Sequence, residues 1–64
     1  MKKRVLIIAT HRNEYLDTNT NTFSTNIERA TKYPYTEDGK KQALARINKS
    51  NEQFLKIETF YTNG

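Results

Sequence analysis

Few side chains in this sequence are suited to reaction chemistry. His11 is the single histidine and there is no cysteine. Arg12 and Glu14 stand close by, and a carboxylate near an imidazole can poise it as a general base. Such work also needs a positioned reacting partner and a cleft. No motif supplies a serine, cysteine or aspartate partner, and 64 residues leave little room for a pocket. His11 is therefore expected to be an ordinary strand-end residue. One histidine without cysteine holds no metal cluster. The sequence leads to the expectation of no enzyme, no catalytic residue, no metal and no cofactor.

Binding chemistry is better represented. Eleven Lys and Arg oppose seven Asp and Glu, a net charge of +4, and the isoelectric point is near 9.6. This excess favours an acidic partner, whether nucleic acid or an acidic protein face. It excludes a protein that imitates DNA, which needs the opposite sign. Lys2-Lys3-Arg4 forms one basic cluster, and Lys41, Arg46 and Lys49 form another. Tyr15, Phe23, Tyr33, Tyr35, Phe60 and Tyr61 outnumber what a small core requires. Tyrosine with arginine is the usual composition of binding hot spots. The expected partner-binding residues are Tyr33, Tyr35, Arg29 and Lys32, with Lys41, Arg46 and Lys49 steering electrostatically. The bland alternatives are core filling for Phe23, Tyr33 and Phe54, and a solvated helix face for the lysines.

Length bounds the rest. Residues 1–64 form at most one domain, and a chain this short buries only about 60% of its unfolded surface. The start imitates a signal peptide, but its apolar run, Val5–Ala9, is shorter than the roughly 7–15 residues of a leader core. No segment approaches the roughly 20 apolar residues of a membrane span. The expected location is the cytoplasm, where Asn48-Lys49-Ser50 would not be glycosylated.

The positioning elements follow from pattern. Val5-Leu6-Ile7-Ile8-Ala9 predicts a buried strand, and Glu14–Asp17 a return strand after a polar turn. Thr18–Thr22, rich in Asn and Thr, predicts an exposed loop. Thr25 and Glu28 stand at capping-box spacing, predicting one helical turn over Asn26–Ala30. Thr31–Tyr33 should be extended before Pro34. Thr36 is a good N-cap, with Glu37 and Asp38 favoured by the helix dipole. The helix should bury a stripe of Ala43, Leu44 and Ile47 with the Lys40 stem, and end over Asn48–Asn51. Gly39 should weaken its first turn by about 1 kcal/mol. Phe54–Tyr61 alternates with period two, placing Leu55, Ile57, Thr59 and Tyr61 on one face. The expected class is α+β: a small antiparallel sheet of three, or at most four, strands with one main helix on one face.

This order resembles that of small accessory proteins of phages and prophages of Gram-positive bacteria with a ββαβ-type pattern. The matching residues are Val5–Ala9, Tyr15-Leu16 and Phe23–Tyr35, followed by helix Glu37–Lys49 and strand Phe54–Tyr61. The resemblance covers nearly the whole chain and supplies no active site. It implies an accessory phage protein, acting in the host cytoplasm by binding and modulating or inhibiting a host or phage protein. The alternative is a basic nucleic-acid-binding accessory protein, though no helix-turn-helix, zinc-finger or aromatic-sheet signature occurs. A third option is a structural or assembly component, which Leu6 and Ile8 would support by homodimerisation if their sheet face is uncovered. No membrane partner is expected.

Overall fold

In the computed structural model, which describes residues 2–50 and 54–63, the sheet is organised around its first strand. β1 (Lys3–Ala9) pairs along its whole length with the last strand, β5 (Lys56–Thr62), from Lys3 opposite Thr62 to Ala9 opposite Lys56. Its other edge is shared. β2 (Tyr15–Asp17) takes the end at Ala9, and β4 (Tyr33–Pro34) takes Val5 and Leu6. β3 (Thr22–Ser24) extends the sheet beyond β2. All pairs are antiparallel.

The α+β class and the single main helix are as expected. The sheet has five strands, one more than the largest number anticipated. The additional element is β3, formed partly from the stretch expected to be loop. It exists because Leu16 pairs with Phe23 across a turn in which Asn21 takes φ 55°.

The central position of β1 explains its apolar run. Residues buried on both faces need no polar alternation. Leu6 and Ile8 face the helix α1 (Glu37–Lys49), and Ile8 packs with Leu16 and Ala43. Phe23, Tyr33, Ile47, Leu55 and Ile57 close around them. Homodimerisation through Leu6 and Ile8 thus loses its condition, since they are 9% and 1% exposed. The opposite face, carrying Val5, Ile7 and Ala9, is buried as well. The 27–32 segment crosses that side, since Lys32 Nζ donates to the carbonyls of Glu28 and Ala30 and sits over the Phe60 ring.

Local signals set most boundaries. Thr36 caps the helix through Oγ1, which accepts from the Gly39 N–H at 3.0 Å. The short 3₁₀ turn Ile27–Arg29 lies inside the expected helical turn, but its cap is Asn26, whose side chain accepts from the Glu28 N–H. Thr25 is not the cap. The β1–β2 turn is held by the buried Thr10, whose Oγ1 accepts from the N–H groups of Arg12 and Glu14. Asn13 takes φ 60° there, a conformation that Asn tolerates.

Three packing expectations are corrected. The helix buries Gly39 and Ala43, with Ile47 half-buried, while Leu44 remains 44% exposed on the flank. Gly39 is not merely a weakness. A Cβ built on it would stand 1.9 Å from the Pro34 carbonyl oxygen, so glycine lets the helix rest on β4. Phe54 does not fill the core: it is 70% exposed with φ 68°, and its contact is an edge-on approach to His11 at 5.4 Å. β5 begins only at Lys56, although its faces alternate as the pattern requires. Asn51, expected at the helix end, lies outside the described residues.

Candidate interaction surface

The residues expected to bind a partner come from β4, the segment before it and the helix, so their convergence depends on how α1 lies. Gly39 brings the helix onto Pro34, and its last two turns then run beside the β2–β3 turn. Arg46 is half-buried on the inward flank. Its Nη2 donates to the Asn21 side-chain oxygen. The left-handed Asn21 thus orients the guanidinium.

Two open clefts result, each of about 580 Å³. One is lined by Thr18, Asn21, Gln42, Arg46 and Lys49, the other by Lys3, Arg4, Lys32, Tyr35 and Thr36. Tyr33 lines both. Lys3, Arg4 and Lys32 therefore line one cleft and Arg46 and Lys49 the other, with Tyr33 as the shared wall, and no carboxylate lines either. Concave walls of one sign focus potential and attract the opposite charge.

The aromatic and basic groups are interleaved. The Arg4 guanidinium lies 4.7 Å from the centre of the Tyr35 ring. Tyr35 itself is 48% exposed. Lys32 Nζ lies 5.8 Å from the Phe60 centroid while bonded to two carbonyls. An ammonium has three donors, so one remains for a ligand. Burial pushes the Tyr33 phenol above its ordinary pKa, an effect that the nearby Arg46 charge partly offsets. Tyr33 is thus both core filler and cleft wall.

Five of the seven expected residues meet here: Tyr33, Tyr35, Lys32, Arg46 and Lys49. Arg29, exposed on the 3₁₀ turn, and Lys41, exposed on the helix crest, line neither cleft. The expected set lacked Lys3, Arg4, Asn21 and Gln42. Lys3 and Arg4 were visible as a basic cluster, but only the pairing of Val5 with Pro34 brings them beside Tyr35. Nothing in the local sequence marks Asn21 or Gln42.

A third groove, between the helix start and β5, is lined by Leu6, Tyr35, Glu37, Lys40, Ile57 and Thr59. His11 lines none of these three. Among the described residues no three His, Asp or Glu side chains gather as metal ligands. No described helix is long and apolar enough to cross a membrane. No protein-family model, curated protein or solved structure matches the chain.

Proposed function

We propose that the protein is a non-enzymatic binding module that docks its basic clefts on an acidic face of another protein and so modulates or inhibits it. The supporting observation is that two clefts sharing the Tyr33 wall are lined by Lys3, Arg4 and Lys32 and by Arg46 and Lys49, with no carboxylate in either. The resemblance to small phage accessory proteins suggests the setting: a host or phage protein as partner, in the host cytoplasm. Tyr35 and Tyr33 supply contact area at low entropic cost, and the cations supply steering.

Charge reversal tests the location of the surface as well as its sign. The variant carrying Lys3→Glu and Lys49→Glu should lose a partner that the wild type retains stoichiometrically, with Kd raised tenfold or more. Lys41→Glu, on the crest, should leave that Kd within about twofold, because exposed charges off an interface contribute little. Equal losses from both changes would mean that net charge alone acts, and the assignment would fail.

One feature favours nucleic acid as the second reading. Arg4 beside Tyr35 and Lys32 beside Phe60 set cations next to aromatic rings, the two side-chain types that single-strand binders combine. That reading requires affinity for a single-stranded oligonucleotide falling with salt at a log–log slope of about −0.7 per phosphate neutralised. Binding indifferent to salt removes it.

A further inference from the structure

The longest outer edge in this sheet belongs to β5. It pairs with β1 along all seven of its residues, and no other described strand meets its far side. Unpaired N–H and C=O groups in such a row form a template for another strand. Proteins commonly blunt these edges with proline, bulges, short length or charge. β5 has neither proline nor glycine. Its charged residues are Lys56 and Glu58, which lie on one face and form an ion pair at 3.3 Å.

Two charges of one sign would guard the edge. An opposite pair two residues apart does something else, because it is complementary to itself about the residue between. If two β5 strands pair antiparallel about Ile57, Lys56 of each faces Glu58 of the other. Ile57 then faces Ile57, and Leu55 faces Thr59. Ile57 is half-buried on the helix-facing side, and its groove continues to Leu6 and Thr59. Opposed side chains in such a ladder have Cβ atoms about 5 Å apart, and opposite-charge and β-branched pairs there are stabilising.

Charge also selects the register. Centring the pair on Lys56 sets Lys56 against Lys56, and centring it on Glu58 sets Glu58 against Glu58. Centring it on Thr59 leaves Glu58 facing Phe60 with no cation opposite. We propose that a second copy of this chain occupies the β5 edge, paired about Ile57, so that the two sheets become continuous across a two-fold axis. Such an interface is isologous, the commonest form of closed assembly. β4 lies on the opposite edge of β1, so the pairing leaves the basic clefts of both copies outward and open.

Sedimentation equilibrium on the wild-type protein should give a reversible dimer. Lys56→Glu and Glu58→Lys should each weaken it, raising the dimer dissociation constant roughly tenfold, with circular dichroism confirming that both remain folded. Mixing the two variants should restore the dimer, since the reversed charges then oppose each other across the interface. Within each strand of that mixture positions 56 and 58 remain like-charged, so recovery could not come from the intrachain pair. A third variant carrying both changes should dimerise with itself and not with the wild type. A wild type that stays monomeric at millimolar concentration overturns the proposal. So does a dimer that both single variants leave intact, or one that mixing fails to restore.

Discussion

Single residues in this protein have roles that their types alone misstate. Gly39 carries a helix-propensity penalty of about 1 kcal/mol, so Gly39→Ala should stabilise an isolated helix. In the folded chain the added methyl meets the Pro34 carbonyl oxygen at 1.9 Å. Overpacking of this kind costs about 1–3 kcal/mol. Urea denaturation of Gly39→Ala should therefore show a net loss, and a gain would show that the helix does not rest on β4. Phe54 makes the opposite case. Its left-handed backbone costs a non-glycine residue about 1–2 kcal/mol, and its ring is mostly exposed. Phe54→Gly should leave stability unchanged or higher, whereas Phe23→Ala, which empties the region against Leu16, should lower it by about 2 kcal/mol or more. Tyr33 sets a pH limit. Burial raises its pKa, so the folded state holds the phenolic proton more tightly than the unfolded chain does. The resulting stability is complete below the unfolded value of about 10 and is lost as pH rises through the folded value. Tyr33→Phe should accordingly lose less stability between about pH 9 and 11 than the wild type, as measured by chemical denaturation.

At the scale of elements, legibility followed the range of the interaction that defines each one. The helix Glu37–Lys49 was readable to the residue at its start and to within Asn48–Asn51 at its end, because the Thr36 cap, the acidic first turn and the basic last turn all act within a few positions. The alternation of β5 likewise placed Ile57 and Phe60 on opposite faces. β3 was not readable. Thr22-Phe23-Ser24 has no strand signal of its own and becomes one by pairing with Tyr15–Asp17. The buried stripe of the helix was misjudged for a related reason: periodicity favours large apolar residues, but close approach to β4 selects Gly39 and Ala43 and turns Leu44 outward. The hairpin between β1 and β2 depends on a polar atom, Thr10 Oγ1, at 3.1 Å and 3.3 Å from two backbone nitrogens. Thr10→Val preserves shape but removes the acceptor of two part-buried hydrogen bonds. It should cost about 0.5–1.5 kcal/mol by urea denaturation, and a neutral result would mean that the turn is held by its backbone bonds alone.

The whole molecule is closed by its ends. β1 and β5 lie far apart in sequence and form the longest ladder in the sheet, so the core is complete only when the chain returns on itself. A chain shortened to residue 50 would uncover the β5 side of β1 while retaining the helix. It should lose its cooperative thermal transition in circular dichroism, and survival of that transition would show that β5 is dispensable. The same closure decides the surface. A net charge of +4 favours contact with acidic surfaces but says nothing about where on the molecule such contact is made. Lys3 and Arg4 meet Lys32 and Tyr35 only through β1–β4 pairing, and Arg46 and Lys49 join them only because α1 crosses β4.

By itself, the sequence determined whatever depends on neighbours a few positions apart: the apolar first strand, the capped helix, the alternating last strand, the α+β class and the positive charge. Tertiary structure decided the rest, including the burial of Leu6 and Ile8, the exposure of Phe54 and the placing of five cations in two clefts that share Tyr33. The division has one physical cause. Propensity, capping and periodicity are properties of a short segment, whereas burial and charge convergence depend on which distant segments pair and in what register.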